Sequence, residues 1–224
     1  MKKGVFIVIE GTDGSGKTVQ TKKLVENLKA AGKDVETIEF PQYGNKSAGL
    51  VEEHLTGKYG TADEVGPYRA SIFFACDRYD ASFKIKKWLD KGKIVIANRY
   101  TSANMGHQAG KIKDKEERDK FLEWLENLEF NIFNIPKPDA TILLFMPPEI
   151  GQKLVDKKGH REYVGGEKRD IHEADINHLK DAAEAYKYCA KKYNWLLIDC
   201  APNNNLREIE DISKEVFEKV KEKI

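Results

Sequence analysis

The sequence predicts an α/β fold: a P-loop three-layer arrangement in which a mostly parallel sheet carries helices on both faces. Three observations predict it. The apolar run Val5–Ile9 leads directly into Gly11-Thr12-Asp13-Gly14-Ser15-Gly16-Lys17-Thr18, which reads G-x-x-x-x-G-K-T. Further β-rich runs alternate with helical patterns along the chain, as βαβ units require. The 224 residues also contain no internal repeat, low-complexity tract or linker, so one core and a single domain over 1–224 are expected.

Each element has its own local reason. Val5–Ile9 is continuously apolar, the pattern of a strand covered on both faces. After the glycine loop a helix is predicted from about Lys17 to Ala31, with Leu24, Val25 and Leu28 on one face and Gly32 as its stop. The second strand is Val35–Phe40. A helix follows over Pro67–Leu89, its proline in the first turn and Gly92 ending it. Ile94–Ala97 is the third strand, Glu116–Leu128 a helix and Thr141–Phe145 the fourth strand. Helix Ile176–Tyr193 and strand Trp195–Ile198 come next. The last helix, Leu206–Val220, places Ile209, Ile212, Val216 and Val220 in one stripe.

Composition narrows the class. Lys+Arg 38 against Asp+Glu 37 gives a formal charge of +1, so neither nucleic acid nor a membrane surface is an expected partner. Lys84, Lys86, Lys87, Lys91 and Lys93 read as a solvated helix face. Three widely spaced cysteines fit no disulfide framework and point to a reducing compartment. Val5–Ile9 is too short for a signal peptide, and no run approaches the roughly 20 apolar residues of a membrane span. A cytoplasmic protein is expected. His160, His172 and His178, with Glu173 and Asp175, match no common metal-site spacing.

The chemistry gathers at strand ends, where such folds bind ligands. Loop N–H groups and the positive end of the first helix would cradle phosphates, with Lys17 on the β- and γ-phosphates and the Thr18 hydroxyl on Mg²⁺. These residues point to a bound nucleoside triphosphate. After the second strand stands Phe40-Pro41-Gln42-Tyr43-Gly44, and the long helix carries Phe73-Phe74-Ala75-Cys76-Asp77-Arg78-Tyr79. The third strand ends in Asn98-Arg99-Tyr100, with Ser102, Asn104, His107 and Gln108 following. A basic stretch, about 152–173, holds Lys157, Lys158, Arg161, Lys168 and Arg169 around Gly165-Gly166.

Together the P-loop with its internal Asp13, FPQY, FACDR, NRYTSAN and a basic lid ending in RDIHEAD resemble the thymidylate kinases, in order and over nearly the whole chain. The resemblance implies transfer of the ATP γ-phosphate to dTMP, giving dTDP for dTTP synthesis, in a cytosolic homodimer using Mg²⁺. It implies that Gly11, Asp13, Gly14, Ser15, Gly16, Lys17 and Thr18 bind ATP. Asp13 resembles the loop carboxylate that holds a nucleotide sugar hydroxyl, Phe74 the aromatic stacked on thymine, and Arg78 the arginine near its O4. Arg99 resembles the arginine on the acceptor phosphate, with Phe40, Pro41 and Tyr43 lining the same pocket. Asn104 and Gln108 fall where the family contacts base or phosphate. Gly14 stands where some members carry a loop arginine; members with glycine there resemble the subtype that supplies it from the lid, making Arg161 and Arg169 the candidates.

Two positions depart from the family pattern. Asn98 stands where an aspartate usually supports Mg²⁺ through water; its amide oxygen can accept from that water but brings no charge, so weaker metal binding is expected. His107 stands where a Tyr or Phe commonly crowds the ribose 2′-carbon, so looser deoxyribose selectivity is expected. A kinase of the same architecture with another acceptor, such as dUMP or a deoxynucleoside, is the alternative. A P-loop regulatory ATPase is the rival class, though it has no need of Phe74, Arg78 and Arg99. A GTPase would carry N-K-x-D, and Asn45-Lys46-Ser47-Ala48 lacks the aspartate.

Overall fold

The computed structural model describes residues 3–156 and 176–224. Five strands, β1 (Val5–Gly11), β2 (Val35–Glu39), β3 (Ile94–Asn98), β4 (Ala140–Phe145) and β5 (Leu196–Asp199), form one sheet in the order β2-β3-β1-β4-β5. Every pairing is parallel. The chain leaves β1 toward one half of the sheet and returns on its other side, which opens a crevice beyond the carboxyl end of β1.

Side chains alternate between the two faces of a strand, and the core divides accordingly. Ile7, Ile9, Ile94, Ile96, Ile142 and Leu144 pack with Leu24 and Leu28 of α1 (Lys17–Ala30) and with Ile212, Val216 and Val220 of α8 (Ile209–Lys221). The intervening Phe6, Val8, Val95 and Ala97 pack with Ala81, Ile85 and Leu89 of α3 (Ala62–Asp90). On that same side, Leu143 meets Tyr186 and Ala190 of α7 (Ile176–Lys192), and α5 (Lys115–Glu126) adds Phe121, Leu122 and Leu125.

The predicted strands and long helices are present, with shifted ends. The long helix is preceded by a short turn capped at Thr61, whose hydroxyl accepts from the Glu64 N–H while Glu64 accepts from the Thr61 N–H. Gly66, at φ 74° and ψ 166°, breaks the helical backbone, so Pro67 does open the long segment. The buried stripe on the last helix begins at Ile212, three residues later than predicted. Ile209 is 51% exposed, while Ile212, Val216 and Val220 are buried. Among the described residues three short α-helices were not anticipated: α2 (Gly49–Leu55), α4 (Thr101–His107) and α6 (Pro148–Asp156). Elements of two turns show too few repeats for periodicity to register.

Candidate active site

β1 delivers Gly11 to the carboxyl edge between β3 and β4. Gly14 (φ 75°) and Gly16 (φ 83°) hold left-handed conformations that glycine adopts freely. Gly16 precedes α1 with no side-chain cap, so the first-turn N–H groups of that helix are left for a ligand. Thr12 ties the loop to the next strand: its hydroxyl donates to the Met146 carbonyl and accepts from the Met146 N–H, each at 2.8 Å. Lys17 Nζ lies on the Gly11 and Thr12 carbonyls at 2.8 and 3.1 Å, and 3.7 Å from Asp13. A Cβ at Gly14 would run into the Gly151 backbone of α6, so no side chain fits there.

Beyond the loop opens a cavity of about 470 Å³, within the size range of small-molecule sites. Lys17 and Thr18 line one part of it. β2 contributes its exit residues Phe40, Pro41 and Tyr43, α3 contributes Phe74 and Arg78, and β3 contributes Asn98 and Arg99. Asn104 and His107 of α4, with Gln108 just after it, complete the wall together with Asp13, Gly14 and Gly16. Of the predicted residues within the described chain, only Gly11 and Ser15 do not line the cavity; both are buried in the loop. Arg161 and Arg169 lie outside the described residues.

Second contacts hold these groups still. Asp77, buried on α3, accepts from the Gln42 N–H at 2.9 Å, from the Gln42 amide at 3.1 Å and from Ser47 Oγ at 2.7 Å, which fixes the turn carrying Tyr43. Arg78, 1% exposed, donates through Nε and Nη2 to both oxygens of Glu129 at 2.6 Å, and its Nη1 reaches the Tyr100 carbonyl at 3.4 Å. Glu129 is delivered by a π-helical turn, Asn127–Ile132, and also accepts from Thr101 Oγ1. Asn104 Nδ2 donates to the Ser71 carbonyl at 3.3 Å, and among the described residues the buried Gln108 Oε1 has no hydrogen-bond partner.

The family model for thymidylate kinase matches residues 9–216, from the end of β1 into the last helix. The chain belongs to the thymidylate kinase family. A thymidylate kinase of Mycobacterium tuberculosis is 30% identical over 199 residues, covering 87% of this chain and 91% of its own length. One from Plasmodium falciparum is 29% identical over 219 residues, covering 98% and 90% respectively. A solved thymidylate kinase structure from Candida albicans superposes with a TM-score of 0.73 at 21% identity, covering 98% of this chain and 92% of that one, and shows the shared fold.

In this member of the family, the charges at the centre of the cavity are tightly coupled. Arg99 takes φ 66°, a conformation a bulky residue seldom holds without a reason in its surroundings. Its Nη2 donates to Asp13 Oδ1 at 2.7 Å, its Nη1 lies 2.9 Å from His107 Nε2, and Glu10 stands 4.0 Å away. Burial opposes ionisation of Asp13, but the Arg99 and Lys17 charges more than reverse this and hold its carboxyl well below the usual range. For His107, burial dominates and pushes the imidazole well below its ordinary value, against the pull of Asp13. Glu10 is fully buried, bound by Tyr186 Oη at 3.0 Å and Ser102 Oγ at 2.9 Å.

Sequence reasoning missed Glu10, Glu39 and Glu129, and it weighed His178 only as a metal ligand, not as the residue 3.4 Å from His107 Nδ1. Glu39 ends β2, two strands from the P-loop strand, and its pairing with Asn98 across the β2–β3 register is visible only in the fold. The others also depend on pairings that only the assembled fold creates.

Proposed function

We propose that this chain transfers the γ-phosphate of ATP to dTMP, giving dTDP, as a cytoplasmic homodimer acting with Mg²⁺, and that residues 1–224 work as one domain. The observation that carries this reading is the shared cavity: the P-loop Lys17 and Thr18 and the acceptor-side Phe74, Arg78 and Arg99 line one space. A regulatory ATPase has no use for the second set. Nothing in the geometry favours an acceptor other than dTMP.

Phosphoryl transfer asks the protein mainly for positioning and charge neutralisation. Lys17 exchanges the Gly11 and Thr12 carbonyls for phosphate oxygens, a stronger charge-assisted bond. Arg99, oriented by Asp13 and His107, grips the acceptor phosphate with a guanidinium that cannot lose its proton. Phe74 presents its ring to the base, and Arg78 is a donor fixed by Glu129. The residues fit a divalent cation: Thr18 offers an exposed hydroxyl, and the buried Asn98 Oδ1 has no hydrogen-bond partner among the described residues. Mg²⁺ bound with ATP supplies charge neutralisation at the β- and γ-phosphates. Because Gly14 is pressed against Gly151, the loop has no room for an arginine, which supports Arg161 or Arg169 in that role.

The dimer finds support on α3. Ile72, Tyr79 and Phe83 are exposed and recur at i, i+7 and i+11, with Phe133 against Tyr79 at 5.2 Å. Cys76, Cys189 and Cys200 are free thiols, consistent with a reducing compartment. Among the described residues no helix is long and apolar enough to cross a membrane.

A coupled assay of ADP release across dTMP, dUMP, dGMP and the ribose form of TMP tests the activity. The highest kcat/KM is expected for dTMP. ATP hydrolysis without transfer, or a clear preference for another monophosphate, would sink the reading. Sedimentation of the wild type and of Phe83→Glu tests the dimer, which the variant should weaken.

A further inference from the structure

β2 and β3 are neighbours, and their register pairs Glu39 with Asn98 at the carboxyl edge of the sheet. Across that pair Asn98 Nδ2 donates to Glu39 Oε1 at 2.7 Å, and it lies 3.5 Å from Thr18 Oγ1. A carboxylate only accepts, so the amide must turn its nitrogen to Glu39. That leaves Asn98 Oδ1 buried without a hydrogen-bond partner among the described residues, in a residue 5% exposed. Glu39 itself forms no ion pair with a Lys, Arg or His among the described residues. It lines the same cavity as Lys17 and Thr18.

A carboxylate with no cation, set in a cavity whose loop is shaped for phosphates, would repel the ligand that the loop is built to hold. The arrangement makes sense if a cation completes it. We infer that Glu39 supplies the negative charge for the divalent cation that accompanies the nucleotide, with Asn98 as its positioning residue and the Thr18 hydroxyl as a neutral oxygen donor. The donors are hard oxygens, one charged and two neutral, which suits a hydrated Mg²⁺ or Mn²⁺ rather than a soft metal. Asn98 serves twice: its N–H holds the exposed Glu39 in place, and its orphaned Oδ1 is an acceptor for a water on the ion. The charge that an amide at the end of β3 cannot bring is thus supplied from the end of β2, one strand away. This inference rests on the nucleotide site proposed above and names a residue for it.

The test compares affinities for β,γ-methylene-ATP by isothermal titration calorimetry, with and without Mg²⁺, in wild type, Glu39→Gln and the double variant E39Q/N98D. The double variant keeps the hydrogen bond and exchanges its ends, with the amide now on β2 and the carboxylate on β3. Glu39→Gln should weaken the Mg²⁺-dependent tightening by about tenfold or more, while metal-free binding is unchanged or tighter because a repelling charge is gone. The double variant should recover most of the tightening. Equal losses with and without Mg²⁺ would mean that Glu39 is merely structural, and no loss would mean that it does not serve the ion; either overturns the inference. A double variant that melts like wild type yet recovers nothing overturns it too. No acceptor is present, so the outcome is independent of which monophosphate the protein uses. Failure of dTMP transfer by the wild type would count against the kinase reading alone.

Discussion

Arg99 Nη1 lies 2.9 Å from His107 Nε2, and because a guanidinium can only donate, the imidazole nitrogen must be the acceptor. His107 Nδ1 therefore carries the proton and faces His178 Nε2 at 3.4 Å, the two rings stacked with centroids 5.6 Å apart. Protonating His107 would place a second cation beside Arg99 and remove its acceptor. His107 is thus a neutral strut under the proposed phosphate-binding arginine.

The sign of the resulting pH dependence follows. Burial depresses the folded-state pKa of His107 well below 6.5, whereas the unfolded chain takes up that proton near pH 6.5. The stability linked to neutral His107 is therefore fully present above pH 6.5 and is lost as pH falls. Denaturant unfolding between pH 7 and pH 5 should show a wild-type slope steeper than that of His107→Gln, whose amide oxygen still accepts from Arg99. The difference for one proton is up to about 1.4 kcal/mol per pH unit. His54, pushed down to about 4 by burial, adds the same downward trend to both proteins and cancels in the comparison. Superimposable slopes would show that His107 does not stay neutral.

Arg78 and Glu129 are both almost fully buried, so their bidentate pair cannot be halved cheaply. Glu129→Ala strands a guanidinium in the interior and should cost about 3–5 kcal/mol of stability. A cost below about 1 kcal/mol in urea unfolding, the scale of an exposed pair, would mean that water reaches Arg78.

Much of this was readable from the sequence, and the exceptions share a cause. β1 and the P-loop announced themselves because a buried parallel strand is continuously apolar and the glycines sit at fixed offsets. The place of Arg99 at the cavity was legible because the fold class says that strand ends carry chemistry, whereas Phe74 and Arg78, within α3, were singled out by the family resemblance. Glu129 was not, since its pairing with Arg78 spans 51 positions and depends on a π-helical turn. Nor was Glu39, whose meaning comes from its register opposite Asn98. At position 107 the sequence suggested a neighbour for the sugar, and the fold adds a partner, Arg99, that no spacing reveals.

Phe74 lines the cavity and is only partly buried, the position of a ring that can stack on a base. Phe74→Ala should weaken dTMP binding by about 1–3 kcal/mol and barely change ATP affinity. Parallel losses of both ligands in equilibrium titrations would make the ring a packing residue instead.

The lid arginines are expected to act in the transition state. Arg161→Ala or Arg169→Ala should lower kcat far more than it raises either KM, because a charge that meets the transferring phosphoryl group stabilises mainly the transition state. A positioned arginine of this kind is worth about 10³–10⁵ in rate. Gly14→Arg should fail to replace it, since a side chain there meets the Gly151 backbone. Full turnover in both lid variants would remove the lid from the mechanism.

His107 also bears on sugar choice, because it lines the cavity while holding Arg99. An imidazole is smaller than a phenol and polar, so a 2′-hydroxyl beside it would be excluded only in part, and steric exclusion of one small group discriminates modestly. The wild type should prefer dTMP yet reject the ribose analogue less sharply than His107→Tyr does. The variant disturbs the Arg99 contact too, but that loss falls equally on both substrates, which carry the same phosphate. The ratio of the two kcat/KM values therefore isolates the sugar. If the ratio is the same in wild type and variant, His107 serves Arg99 alone and another residue reads the 2′-carbon.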